Sequence, residues 1–305
     1  MKAKKDAMKR KMVSIIILNW NGLGFTKKCL ASIKSNTSGQ DYEIIVVDNG
    51  SDAKEVQELK KMHAKKAIGK LILNAGNRGF SGGNNQGLKI AEGDYLLLLN
   101  NDTTLTKNWL SELVKTAEED PKIGVVGPNI ELAYNPGVAY GGGYVDDSGT
   151  ARNFDYSEKE RDAEQVGGAA LFFKRAVLEK IGGLDEGFNP IYFEETDFCA
   201  RARKAGFRVV FTPKSKIIHF EGGIMKKQPG KRTFVSINKN RVRYMLLHFP
   251  PAMLAKAVPF ELGRVAKGIA TMRIHWLLEA YAIDLKNLGE IMEKRKRIKK
   301  GDLKA

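Results

Sequence analysis

Five short runs in the first half of the chain, at 13–18, 43–47, 70–73, 95–99 and 123–126, are dominated by Ile, Val and Leu. Continuous apolar runs of this length suit strands buried on both faces, as in a parallel sheet. Between them, 25–35, 53–65, 83–91 and 107–119 carry helical spacing, and Asp120-Pro121 closes the last. The alternation predicts an α/β fold, a mostly parallel, doubly wound sheet flanked by helices. In such sheets ligands bind beyond the carboxyl ends of the strands.

The pattern breaks over 135–162 into Gly-, Asp- and Ser-rich sequence, suited to a hairpin or mobile loop near the site. It resumes with 166–174, a helix at 176–181 stopped by Gly182-Gly183, and a helix at 196–205 ending at Gly206. Two strands are expected at 208–212 and 216–220. Composition shifts around 222–232, and the rest of the chain is helical, basic and interleaved with large apolar residues. The chain therefore divides into a basic tail (1–11), an α/β domain (12–230) and a helical region (231–305).

Charge adds a constraint. The 51 Lys and Arg residues outnumber 35 Asp and Glu, for a formal charge of +16. That balance favours an anionic partner such as nucleic acid, acidic lipid or a phosphorylated substrate, or serves solubility alone. Because the basic residues gather in the tails rather than on an aromatic-studded sheet, nucleic acid is disfavoured. Arg and Lys mixed with Leu, Met, Phe and Trp276 over 238–300 suggest helices lying on an anionic membrane, or else helices packed on the domain. The two cysteines, Cys29 and Cys199, offer neither a pairing framework nor metal-type spacing, and both read as core residues of a reduced protein. The N-terminus lacks the apolar region and cleavage site of a signal peptide, and no uncharged stretch is long enough to span a bilayer. A cytoplasmic protein, peripheral at most, is expected.

Four polar constellations follow predicted strands or open helices. Asp48-Asn49-Gly50-Ser51 directly follows a buried strand; Asp48 could accept from a ribose or base, or cap the next helix. In 77–87 a Gly-rich turn opens a helix, and its amides with Arg78 could meet a diphosphate. Asp102, three residues past the 95–99 run, could hold Mg²⁺ or Mn²⁺ against phosphate oxygens, or form a loop turn. Glu194, Glu195 and Asp197 open a helix between aromatic residues, answering its dipole or supplying a general base.

In their order, VSIIILNWNG, EIIVVDNGSD, NRGFSGGNNQG, LLLLNNDT, GGAALFFKR, FNPIYFEETDFCARARKAGF and IIHFEGG resemble family 2 glycosyltransferases, in particular a rhamnosyltransferase-like branch. The resemblance covers roughly 12–223 and implies the GT-A fold and inverting transfer of a sugar from a nucleotide-sugar donor, UDP- or dTDP-linked, to a saccharide or lipid-linked saccharide hydroxyl. Cell-surface polysaccharide or glycolipid synthesis is the implied setting. Asp48 would bind the nucleoside. Asp102 would match the last acid of the DXD metal motif, and His219 a histidine that completes coordination of Mg²⁺ or Mn²⁺. Glu194-Glu195 would match the acidic pair that includes the catalytic base, with Asp197 beside it. Donor contacts are expected from Asn19, Asn21, Asp48, Asn49, Ser51, Arg78, Gly79, Asn84, Asn100 and Asn101.

Two departures matter. Asn100 stands where the first Asp of DXD is frequent, shifting the metal onto Asp102, His219 and phosphate. Glu195 replaces a frequent Asp, which leaves the base open among Glu194, Glu195 and Asp197. A nucleotidyltransferase would carry Gly with Arg and Lys after the first strand, unlike Asn19-Trp20-Asn21-Gly22. A non-catalytic binding protein of the same fold is the remaining alternative, against which Asp102 and Glu195 argue.

Overall fold

The computed structural model describes residues 11–137, 139–154, 158–220 and 230–305. The basic tail apart from Lys11, and most of the composition shift at 222–232, thus lie outside the described residues. The predicted alternation runs through β1 (Val13–Asn19), α1 (Leu23–Asn36), β2 (Tyr42–Asp48), α2 (Ala53–Ala64), β3 (Lys70–Leu73), α3 (Gly79–Ile90) and β4 (Tyr95–Asn100). Next come β5 (Thr103–Leu105), α4 (Trp109–Glu119), β6 (Ile123–Leu132), β7 (Ala139–Tyr140), β8 (Gly142–Val145), β9 (Ala151–Asn153), β10 (Arg161–Asp162), β11 (Gln165–Val166) and β12 (Ala170–Lys174). The chain continues with α5 (Arg175–Ile181), α6 (Glu194–Lys204), β13 (Arg208–His219), α7 (Lys231–His248), α8 (Pro251–Ala270), α9 (Ile274–Lys286) and α10 (Leu288–Lys299).

The main sheet has the order β10-β13-β6-β12-β4-β1-β2-β3, with β5 added to β13 and β7 to β6. Strands β4, β1, β2 and β3 are mutually parallel, whereas β12 runs antiparallel between β4 and β6. Successive side chains leave opposite faces of a strand. Val13, Ile15 and Ile17 accordingly join one apolar layer with Cys29, Ile33, Leu59 and Trp109 from α1, α2 and α4. Ile16 joins the other with Leu88, Val177 and Phe198 from α3, α5 and α6. Burial on both faces explains why the runs show no polar alternation. It also pushes both cysteine thiols up to about 12, leaving them inert core groups.

Helix α3 begins four residues before the helical run expected at 83–91. Glycines within a helix cost stability, but here they permit contact: a Cβ on Gly83 would lie 2.4 Å from Leu18 Cδ1, and one on Gly87 2.5 Å from Ile16 Cγ2. The helix lies flush on β1 because those side chains are missing. The two strands expected at 208–212 and 216–220 are the single strand β13, whose pairing with β6 shifts register between Thr212 and Lys216. Pro213 lies in that interval and has no N–H to give to the ladder, so the strand bulges there without ending. The 135–162 stretch forms β7 to β10, with β8 and β9 in a small separate sheet closed by β11.

The expected boundary near Lys231 falls at the start of α7. Beyond it Tyr244, Met245, Leu247, Ile291 and Ile298 share a core with α3, α5 and α6. Several basic residues that suggested a membrane surface are internal. Arg241 forms a bidentate pair with Glu261 at 2.6 and 2.8 Å and donates to the Ser148 carbonyl at 2.8 Å. Arg243 bridges Glu290 and Asp185, Lys294 pairs with Asp185 at 2.8 Å, and Arg295 donates to the Leu246 and Phe249 carbonyls. A long apolar face nonetheless remains exposed on α8 and α9. No described helix is long and apolar enough to cross a membrane.

Candidate active site

The carboxyl ends of β1, β2 and β4 lie side by side, and polar residues begin there. At the end of β1 the amide of Asn19 lies within 2.9–3.1 Å of Asp48 Oδ1, Ser51 Oγ and Glu55 Oε2. Asn19 Oδ1 accepts from Thr26, whose hydroxyl accepts from Asn101 Nδ2 at 3.0 Å. Asp48 is fully buried: Oδ1 also accepts from Ser51 Oγ at 2.6 Å, and Oδ2 from the Ser51 amide at 3.0 Å. It does not cap the following helix. Asp52 does, accepting from the Lys54 and Glu55 amides. Asn21, at φ 47°, braces that cap by accepting from the Asp52 amide.

Asn49 locks the end of β2 to the Gly-rich turn. Its Nδ2 donates to Asn77 Oδ1 and to the Gly79 carbonyl, both at 3.0 Å, while its Oδ1 accepts from the Arg78 amide and Asn74 Nδ2. The turn amides expected to meet a diphosphate are partly engaged already. Gly79 N–H donates to Asn77 Oδ1 at 2.8 Å and Phe80 N–H to the Pro190 carbonyl at 3.0 Å. Arg78 projects to the surface, whereas Asn84 is buried and bonded back to the Phe80 carbonyl within its own helix.

Beyond β4 the chain brings together residues 117 positions apart: His219 Nε2 lies 3.1 Å from Asp102 Oδ1. Asn100 Nδ2 is 3.5 Å from the same nitrogen, and the Tyr140 hydroxyl is 3.2 Å from His219 Nδ1. Strand β5 positions the pair, because Thr103 registers opposite His219 and the Phe220 amide donates to the Asp102 carbonyl. Tyr140 carried no local signal in the sequence, lying in the stretch read only as a loop.

The third group opens α6. Tyr192 and Phe193, at φ 84° and 72°, turn the chain through a left-handed conformation that aromatic residues rarely adopt. Asn240 of α7 holds that turn, donating within 2.5–2.9 Å of the carbonyls of Phe188, Ile191 and Tyr192. Glu194 is buried with Oε2 unpartnered; burial, then the adjacent Glu195 charge, raises its pKa well above the ordinary carboxyl value. Burial also raises Glu195, but first-turn amides and the Thr196 hydroxyl favour its ionised form, and it keeps some exposure. Burial thus pushes both carboxyls above the ordinary value, Glu194 the more strongly. The Glu195 carboxylate faces Gly168, where a Cβ would sit 3.3 Å from Cδ. One residue on, the Ala169 carbonyl accepts from the Asn100 amide at 2.9 Å. A short piece of backbone thus separates Glu195 from the end of β4.

Asp197 is directed elsewhere. Fully buried, it bonds Arg201 Nε and His248 Nε2, each at 2.7 Å. Burial opposes its charge, yet Arg201 and His248 outweigh that and hold the carboxyl far below its usual range. Burial lowers His248, and its Nδ1 lies 3.0 Å from Lys204 Nζ. A neutral ring donating from Nε2 to Asp197 and accepting from the Lys204 ammonium satisfies all three groups. Grouped with the catalytic acids in the sequence, Asp197 has both oxygens committed to this internal network.

The comparisons with known proteins agree with this architecture. A family model described as "Glycosyl transferase family 2" matches residues 14–165. O-antigen biosynthesis protein RfbC of Myxococcus xanthus is 29% identical over 224 residues, covering 68% of this chain and 17% of that protein. Low-salt glycan biosynthesis hexosyltransferase Agl10 of Haloferax volcanii is 28% identical over 206 residues, covering 65% of this chain and 63% of its own length. The chain therefore spans less than two thirds of either relative. Among solved structures, GalNAc-T7 with UDP, GalNAc and Mn²⁺ superposes with a TM-score of 0.64 at 18% identity, over 79% of this chain and 48% of that one. The fold is GT-A. The chain belongs to glycosyltransferase family 2.

The β2 end supplies a stability test. Gly50 has φ +81°, and a Cβ there would sit 2.7 Å from Gly76 Cα, backbone that cannot swing aside. Gly50→Ala should cost about 2–4 kcal/mol from left-handed strain plus overpacking. Urea titration should show a lower midpoint at an unchanged slope.

Proposed function

We propose that the protein transfers a sugar from a nucleoside-diphosphate sugar to an acceptor hydroxyl with inversion at the anomeric carbon. The observation that carries this reading is that Asp102 and His219 meet at 3.1 Å just beyond β4, where the Asn100 amide bonds Ala169, the residue after the Gly168 against which Glu195 packs. The strand order suggests how the donor lies. Adjacent strands are about 4.8 Å apart, so β2 and β4 are separated by about 10 Å. A nucleoside over the ends of β2 and β1 would bring its diphosphate to β4 and its sugar toward Glu195. Asn19, Ser51 and Asn49 shape the nucleoside end, with Asp48 holding them in place; Asn100 and Asn101 frame the diphosphate end, and Arg78 is the mobile cation beside it.

Asp102 and His219 fit a divalent cation. Adjacent corners of an octahedron of about 2.1 Å radius lie about 3.0 Å apart, close to the 3.1 Å between Oδ1 and Nε2. Among the described residues no group of three or more His, Cys, Asp or Glu completes a protein-only cage. That is the pattern of a cation shared with substrate phosphates. One imidazole beside one carboxylate favours Mn²⁺ over Mg²⁺. When bound, such an ion supplies Lewis-acid neutralisation of the departing diphosphate.

Glu195 takes the acceptor hydroxyl proton, with the more deeply buried Glu194 beside it. Tyr192 and Ile191, both exposed ahead of α6, offer the acceptor an apolar surface. Asp197, through Arg201 and His248, fixes the helix that carries the base. The acceptor is a lipid-linked saccharide met at an anionic membrane. Phe260, Leu262, Ile269, Met272, Leu278 and Leu285 are 49–82% exposed on α8, α9 and the turn between them, with exposed Lys256, Lys267 and Lys286 among them, as in an interfacial helix pair.

Three experiments test the parts separately. Glu195→Gln should retain UDP binding by calorimetry while transfer falls by about 10² or more. The parent rate should climb with pH through a value above the ordinary glutamate range, because the base must be ionised and burial raises its pKa. A fully active glutamine variant, or a parent that binds donor but transfers sugar to no acceptor, would favour a binding module. For the cation, depletion of the free Mn²⁺ spin-resonance signal in the presence of UDP should vanish in Asp102→Ala and weaken less in His219→Ala. Unchanged binding in Asp102→Ala would remove the assignment. For the membrane, Phe260→Glu with Leu285→Glu should reduce cosedimentation with phosphatidylglycerol vesicles about 10-fold or more, and equal sedimentation would rule that surface out.

A further inference from the structure

A cavity of about 230 Å³ lies between the β1 and β2 ends, the Gly-rich turn, the loop ahead of α6 and the first two turns of α7. It is smaller than the about 300–1,000 Å³ that encloses a whole small molecule, so it suits one end of an extended ligand. Trp20, half-exposed, and Phe80 supply aromatic surface, and Ile191 an aliphatic wall. On the sheet side much of the polar capacity is spent: Asn49 uses both ends of its amide on the turn, and the Asn77 side-chain oxygen accepts from Asn49 and from the Gly79 amide. On the α7 side they are not. Arg232, Thr233 and Ser236 line the cavity, and among the described residues their side chains make no hydrogen bond or ion pair. Ser236 is only 4% exposed, and it lines the cavity. The preceding cation, Lys231, pairs with Glu279 at 2.8 Å, so two neighbouring basic residues have different fates.

We infer that the first two turns of α7 complete the nucleoside end of the donor site, with Arg232 paired to the nucleoside-side phosphate and Ser236 bonded to the nucleoside against Trp20. The inference rests on the reading of the protein as a nucleotide-sugar transferase and adds residues from the C-terminal helical region to it. The helix is held in register for this task. Two turns further on, Lys239 Nζ donates to the Asn189 carbonyl at 2.6 Å and Asn240 to that of Ile191 at 2.9 Å. The cavity walls at Pro190–Ile191 and at Arg232–Ser236 are therefore fastened to each other. A guanidinium suits this position because it offers a phosphate two parallel donors.

The test is titration of the full chain with UDP and with uridine, each with and without Mn²⁺, followed by calorimetry and tryptophan fluorescence. Arg232→Ala should weaken UDP about 10- to 100-fold, the loss expected for a charge-assisted hydrogen-bond pair. Lys231→Ala should bind UDP as the parent does. Ser236→Leu, which fills the cavity, should abolish uridine and UDP binding alike. Arg232 is surface-exposed, so its variant folds even where a filled cavity disturbs the helix, and circular dichroism checks both. Parent-like UDP affinity in Arg232→Ala would overturn the inference while leaving the transferase reading intact. A parent that binds no UDP, dTDP or GDP would overturn the transferase reading, and this inference with it.

Discussion

A parallel strand covered by helices on both faces can present a polar side chain only beyond its carboxyl end. The remainder of this protein depends on that constraint. Strands β1, β2 and β4 run apolar through their second halves and end on Asn19, Asp48 and Asn100, with Asn19 in register with Asp48 and Leu18 with Asn100. Close packing sharpens it. Gly83 and Gly87 bring α3 onto β1, which sets the Gly-rich turn beside the β2 end and lets Asn49 clip the two together. The polar groups nearest the sheet spend much of their hydrogen-bonding capacity on one another. They supply a fixed frame, and groups farther from the sheet are left to meet ligands.

That division explains what could be read in the sequence. The strands were legible because two-sided burial writes a continuous apolar run, and Asp102 was legible because it follows the end of one. Proximity of Asp102 to His219 came from a motif resemblance and is realised through the β5–β13 pairing. Other features carried no local mark. Tyr140 reaches His219 from a segment that looked like loop, and Gly168 meets Glu195 only because β12 folds back beside β4. Asp197 looked like a third site acid, and only the three-dimensional positions of Arg201 and His248 show that its oxygens are occupied.

The C-terminal region shows the same limit in another form. Counting charges revealed many Arg and Lys residues beyond 231, but a count does not say which side of a helix they occupy. Arg241, Arg243 and Arg295 are nearly inaccessible, and their charges are matched by Glu261, Asp185, Glu290 and backbone carbonyls. Taking one partner from such a buried pair costs about 3–5 kcal/mol, although the intact pair adds little net stability. The interior arginines therefore specify how α7 sits on the body more than how strongly it is held there. The apolar residues of α8 and α9 remain outside.

Lys239 and Asn240 grip the backbone of 187–192, the segment that delivers the chain to Glu194 and Glu195. This feature governs how such a protein can diversify or be re-engineered. Exchanging the C-terminal helices alone between relatives would leave the Tyr192–Phe193 turn without the amide that steadies it. The loop from Asp185 to Phe193 and helix α7 form one transplantable cassette, and recombination points placed outside both would keep base and brace together.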